Sequence, residues 1–160
     1  MGLDPEILVA RIEPFVGEWR MEVSPPEAQP GRATFEWMSG QRFLVERWGF
    51  PLAAPGRVEA VDFGGIAIIG PDPDREGFLQ HYFDSRGVAR VYRMSFADGV
   101  WKLWRDSPDF SPLDFSQRLE GSFSEDGLTI EGRWEISHDG ERWEHDLPDV
   151  HEALVIDDHR

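Results

Sequence analysis

The feature that most constrains this chain is a rhythm. From Gly17 onward, apolar and polar side chains alternate with period two, and turn-forming residues break the alternation at short intervals. Such runs read as strands at Gly17–Val23, Arg32–Ser39, Arg42–Phe50, Val61–Ile69, Gly77–Asp84 and Val88–Ala97. They continue at Val100–Arg105, Phe115–Ser124, Leu128–Ser137 and Arg142–Leu147, with one more at Val150–Ile156. Between them stand Asp98-Gly99, Asp126-Gly127 and Asp139-Gly140, dipeptides that favour tight hairpins, while Ser39-Gly40 and Ser85-Arg86 are weaker turn signals. Sequential hairpins build an antiparallel meander, and closing it removes both exposed edges. The expected fold is therefore all-β: a single up-and-down antiparallel β-barrel of about ten strands with a short N-terminal helix.

Asp4 is placed to cap that helix, Pro5 suits its first position, and Leu8, Ile12 and Phe15 recur at helical spacing before Pro14 and Gly17 stop it. This places a helix over 4–15 and a barrel over 17–156 in one domain spanning 1–160. The segments Ser24–Gly31, with three prolines, and Ser107–Asp114 read as loops.

Composition narrows the chemistry. The absence of cysteine excludes a disulfide scaffold, a cysteine nucleophile and a thiolate metal site. A net charge of −15 without a basic run argues against nucleic acid as a partner. No apolar stretch reaches the length of a membrane helix, and Met1–Asp4 lacks the basic-then-apolar pattern of a leader, so a cytoplasmic protein without membrane insertion is expected. A homodimer is left open. The acidic strip from Glu125 to Arg160 reads as a solvated face.

The stretch Phe15-Val16-Gly17-Glu18-Trp19 resembles the Gly-x-Trp opening of the calycin superfamily, which includes lipocalins, fatty-acid-binding proteins and nitrobindins. The tract Tyr82–Gly87 and the run from Gly132-Arg133-Trp134-Glu135 through Trp143 are similar to uncharacterised bacterial lipocalin-like proteins. The resemblance implies a barrel entered through a short helix, with Trp19 packed under its closed end and a small-molecule ligand inside. After Trp19 the chain continues Arg20-Met21-Glu22 rather than with the further glycines of nitrobindins.

Tight turns set register, and register sets faces. If Ser85-Arg86 is a two-residue turn, Leu79, His81, Phe83, Val88, Arg90, Tyr92, Met94 and Phe96 share the inner face. Asp98-Gly99 carries that face to Trp101, Leu103 and Arg105. Around Asp126-Gly127, Phe123 falls opposite Ile130, which turns Gln117 and Trp134 inward and sets Glu120 against Arg133 and Arg118 against Glu135 outside. The Asp139-Gly140 turn then places Trp143 and His145 inside. In the early hairpin Trp37, Leu44 and Trp48 bring Glu46 with them.

Polar side chains inside a barrel demand a partner, water or a ligand. Trp37, Glu46, His81, Arg90, Tyr92, Arg105, Gln117, Trp134 and His145 are thus the candidate lining of a cavity for a small, mostly apolar molecule with a polar or anionic end. Arginine suits an anion because its planar fork engages two oxygens. By its likeness to fatty-acid-binding proteins, Arg90 with Arg105 and Tyr92 would hold a carboxylate. Two alternatives share the cavity. Glu46, His81 or Tyr92 could serve as the proton-transfer group of a cofactor-free isomerase or cyclase. By resemblance to nitrobindins, His145 or His151 could ligate haem, although no histidine pair stands at metal-ligand spacing and no cofactor is the first expectation.

Overall fold

The computed structural model describes residues 4–22, 30–52, 61–110 and 112–155; at 5, 51–52, 61–63 and 147–149 the backbone alone is described. Most of the expected Ser24–Gly31 loop and the end of the barrel range at Ile156 fall outside these residues.

Helix α1 spans Pro5–Arg11, and the Asp4 carboxylate accepts the Glu6 N–H at 2.9 Å as its cap. The expected last turn is instead a 3-10 turn at Glu13–Phe15, because Pro14 has no N–H to continue the helical ladder. The apolar stripe is as expected: Leu8, Ile12 and Phe15 are all buried.

Ten antiparallel strands follow: β1 (Gly17–Met21), β2 (Gly31–Trp37), β3 (Leu44–Leu52), β4 (Val61–Pro71), β5 (Phe78–Asp84), β6 (Ala89–Ala97), β7 (Val100–Arg105), β8 (Ser116–Phe123), β9 (Thr129–Ser137) and β10 (Glu144–Leu154). Each pairs with its neighbour in sequence, and β10 pairs with β1 to close the barrel. The runs expected separately at Arg142–Leu147 and Val150–Ile156 are one strand, β10, interrupted by a bulge between Asp146 and Val150. The whole is a closed barrel with a short leading helix, an architecture that fits a calycin-like fold.

Helix α1 and the 3-10 turn plug one end. The Phe15 ring sits among Phe35, Phe96, Trp101 and Phe123 with ring centroids 4.9–5.3 Å apart. Trp19 is fully buried beneath the plug and donates from Nε1 to the Phe15 carbonyl at 2.9 Å.

Two of the sequence-derived registers are as expected. Ala97 pairs with Val100 across a turn in which Asp98 and Gly99 both take positive φ, 54° and 76°. These are the angles of a type I′ hairpin. Phe123 pairs with Ile130, and across the outer face Arg118 Nε donates to Glu135 Oε1 at 3.0 Å. Glu120 reaches Lys102 on the other side, at 3.5 Å, rather than Arg133.

Two registers differ. Asp84 pairs with Val88 across a three-residue loop, Ser85-Arg86-Gly87, in which Gly87 adopts φ of 88°. The Asp84 carboxylate takes the Arg86 N–H at 2.9 Å, and the Gly87 N–H returns to the Asp84 carbonyl at 2.9 Å. This is a type I turn followed by a left-handed glycine, one residue longer than the expected turn. The extra residue flips the faces of β5: Phe78, Gln80, Tyr82 and Asp84 point inward, and Leu79, His81 and Phe83 outward. The β9–β10 connection is likewise wider than a two-residue Asp139-Gly140 turn. The Asp139 carboxylate gathers the N–H groups of Glu141 and Arg142 at 2.8 Å each, which opens the loop. His145 then lies opposite Glu135 and Asp146 opposite Trp134, so Asp146 faces inward and His145 and Trp143 do not. Trp143 instead lies under the Arg118 guanidinium, 3.9 Å from its ring centre.

Candidate functional site

With one end plugged, the remaining interior forms a cavity of about 430 Å3 at the other end. The register places its lining. β3 supplies Glu46, Trp48 and Phe50; β5 Gln80 and Tyr82; β6 Arg90 and Tyr92; β7 Trp101 and Leu103. Gln117 and Leu119 come from β8, Trp134 from β9, and Asp146, Val150 and Glu152 from β10. Gly65 pairs with Trp48 across the strands, and a β-carbon there would lie 2.4 Å from the Phe83 carbonyl oxygen and 2.7 Å from the Trp48 ring, so the glycine makes room for both.

Aromatic rings form a continuous belt. Trp48 stacks on Tyr82 at 6.0 Å, Tyr82 meets Tyr92 edge-on at 6.0 Å, and Tyr92 packs on Trp134 at 5.6 Å. Above the belt a polar chain runs across strands: Arg90 Nη1 and the Tyr92 hydroxyl both donate to Gln117 Oε1, at 3.1 and 2.9 Å. Gln117 Nε2 turns to Asp146 Oδ2 at 3.4 Å, and the Arg90 guanidinium lies over the Phe115 ring. Burial raises the Tyr92 hydroxyl pKa, with Arg90 and Arg105 working against it.

Near the mouth, Asp84 accepts from the Tyr82 hydroxyl at 2.8 Å and pairs with Arg86 at 2.7 Å. Burial opposes ionisation of Asp84, but the hydrogen bonds from Arg86 and Tyr82 outweigh it and hold the carboxyl at about 2. Tyr82 is correspondingly shifted up, by burial first and by Asp84 second.

Deeper lie two acids of a different character. Glu46 and Glu152 are 8 % and 3 % exposed and enter from β3 and β10, strands that flank β1 and β2 in the ring. Burial, then the charge of Glu152, pushes Glu46 well up, and burial lifts Glu152 to about 7. Glu152 Oε2, Gln80 Oε1 and Trp101 Nε1 are buried with no hydrogen-bond partner among the described residues.

Of the sequence-derived candidates, the structure brings Glu46, Arg90, Tyr92, Gln117 and Trp134 together around this space. It moves the others. Arg105 points inward but is held by Asp109, Nε to Oδ2 at 2.8 Å and Nη2 to Oδ1 at 2.9 Å. Trp37 sits at the plugged end, where its Nε1 donates to Glu13 Oε2 at 2.7 Å. His81 is on the outer face of β5 and His145 is exposed on β10. His151 is a half-exposed rim residue of β10 whose Nδ1 lies 3.2 Å from Glu131 Oε1. Of the two histidines considered for haem, His145 therefore lies on the outer face of β10, whereas His151 stands at the rim of the cavity with Nδ1 turned to Glu131. Among the described residues no cluster of three or more metal-ligating side chains occurs, and no helix is long and apolar enough to cross a membrane.

Sequence reasoning missed Gln80, Tyr82, Asp146 and Glu152. The alternation Val150-x-Glu152-x-Leu154 carried the signal for Glu152, since two apolar neighbours in phase mark an inward face. In comparison with known proteins, the chain matches no family model and no curated protein sequence, so the site is read from its own geometry.

Proposed function

We propose that this barrel binds a small, mostly apolar molecule with a polar end, and that the chain is a divergent calycin of the lipocalin-like kind. The observation that supports binding most directly is the 430 Å3 cavity, walled by aromatic rings yet holding buried polar atoms with no partner. A core filled for stability alone leaves neither the space nor the orphaned groups, each of which costs about 1–3 kcal/mol unless a ligand or water meets it. Gly17-Glu18-Trp19 with its buried tryptophan under an N-terminal helix supports the calycin reading.

An anionic end finds less to meet it than a neutral or cationic one. Arg105 and Arg86 are engaged by Asp109 and Asp84 and Arg90 is held by Gln117 and Phe115, while Glu46, Asp146 and Glu152 all line the space. The test is native mass spectrometry of the purified protein, followed by identification of whatever is released on denaturation. The expected result is a bound compound with an apolar body and one polar end. A protein that carries nothing, and takes up none of a panel of such compounds, overturns the proposal.

One observation favours a second reading, a cofactor-free isomerase or cyclase in the same cavity. Glu152, lifted to about 7, has the pKa of a group able to give and take a proton near neutrality. That reading requires turnover of the bound compound and its loss in Glu152→Gln.

A further inference from the structure

Glu46 and Glu152 both line a cavity walled by a belt of π faces, and the charge of Glu152 acts on Glu46. Two carboxyl groups buried this way are an expensive arrangement for a pocket meant to take a purely apolar or an anionic molecule. Like charges repel, and each carboxylate repels an incoming anion. Glu152 Oε2 and Gln80 Oε1 are unpartnered acceptors on side chains 3 % and 4 % exposed, both lining the cavity. Acceptors without donors call for a donor-rich group.

We propose that the polar end of the ligand is a protonated amine, seated between the Glu46 and Glu152 carboxylates with Gln80 Oε1 as a further acceptor and the Trp48–Tyr82–Tyr92–Trp134 belt around its apolar body. This rests on the cavity-binding reading above and names the class of molecule that cavity takes.

An ammonium group is the complement of this set. It has three donors and no acceptor, and its charge is attracted both to carboxylates and to the faces of Trp and Tyr rings. Burial holds both acids well above the usual carboxylate range. A cation at that position reverses the pressure and brings the acids back to their ionised forms, so the ligand and the pair stabilise each other. Arg90 does not compete for the position, since it donates to Gln117 and lies over Phe115. Trp101 Nε1, near the Phe15 plug, provides a donor for an oxygen on the body of the ligand.

The experiment compares matched probes by isothermal titration calorimetry on the full chain: phenethylamine, 2-phenylethanol and 3-phenylpropanoate, and then hexylamine, hexanol and hexanoate. The expected result is that the amine of at least one series binds tenfold or more tighter than its alcohol and its carboxylate. Glu152→Gln and Glu46→Gln, each checked for a folded barrel by near-UV circular dichroism, are expected to erase that preference. Both variants should leave the alcohol's affinity within about twofold. Alcohols or carboxylates that match the amines in both series overturn the inference and leave the cavity reading standing. So does an amine preference that survives both substitutions, because the carboxyl pair would then not be its source. If no probe of any class binds, both the inference and the reading it rests on fall.

Discussion

Arg105 and Asp109 form an ion pair sealed into the barrel wall, with Nε–Oδ2 at 2.8 Å and side chains 2 % and 6 % exposed. Asp109 also accepts the Val91 N–H at 2.8 Å, so one carboxylate ties the segment after β7 to both β6 and β7. Arg105 adds a bond to the Pro112 carbonyl at 3.3 Å. The arginine that the sequence offers as an anion anchor is thus a fastener for the loop beside the mouth. Asp109→Ala leaves a buried guanidinium without its counter-charge and is expected to lose about 3–5 kcal/mol of stability in urea unfolding. A double variant, Arg105→Met with Asp109→Leu, should be less destabilised than Asp109→Ala alone. Equal loss in the double variant would mean that the packing of the loop, not the charge, is what matters.

Phe15 meets four aromatic rings and is fully buried at the plugged end. Phe15→Ala removes the centre of that cluster and is expected to destabilise by about 3–5 kcal/mol. The same variant should quicken exchange of the amides of Trp19 and Phe35 against deuterium, since the plug covers them. Unchanged exchange there would refute the idea that the helix seals this end.

Gly87 supplies the left-handed residue of the β5–β6 loop, with φ of 88° and open space around its α-carbon. A β-carbon there meets no neighbour, so Gly87→Ala isolates the backbone penalty, about 1–2 kcal/mol. Chemical denaturation should show that loss with the m-value and the fluorescence of the folded state unchanged. A variant as stable as the parent would indicate a rearranged turn.

Glu152 shares the cavity lining with Glu46 from β3, Tyr82 from β5 and Arg86 just after it, Arg90 and Tyr92 from β6, and Asp146 and His151 from its own strand. Its folded pKa, about 7, lies above the ordinary 4.5, so the folded protein binds more protons than the unfolded chain between these values. The stability this group contributes is therefore complete below about pH 4.5 and is lost as pH rises through about 7. The drop is on the order of 3 kcal/mol. Glu152→Gln has no proton to lose and is expected to lessen the decline in urea midpoints between these limits, the remainder coming from Glu46, whose carboxyl is raised as well. A parent curve already flat across that range would show that the carboxyl is ionised in the folded state.

The strand rhythm, the Asp98-Gly99 turn and the Arg118–Glu135 pairing were legible because each depends on local chemistry: period, φ preference and charge across neighbouring strands. The inward faces of β6, β7, β8 and β9 followed. What failed turned on single residues in two loops. Asp84-Ser85-Arg86-Gly87 holds both an aspartate to accept the turn amide and a glycine to take positive φ three positions on, and the glycine is the cue for a three-residue loop. Counting Ser85-Arg86 alone turned His81 inward in place of Gln80 and Tyr82. At Asp139 the carboxylate organises a wider loop than its Asp-Gly dipeptide suggests, and one residue of slip exchanged His145 for Asp146. The partner that claims Arg105 lies in an irregular segment, where no periodicity announces it.

The seam of the barrel joins Trp19 to Leu154, Arg20 to Ala153 and Met21 to Glu152, whereas every other strand pairs with its successor. Successive hairpins form early because their partners are near in the chain, while the seam must bring together the two most distant strands. Closure of the ring therefore waits on β10, which is both its zip and its last wall: the strand that shuts the barrel is the one that brings Asp146, Val150 and Glu152 to the chamber.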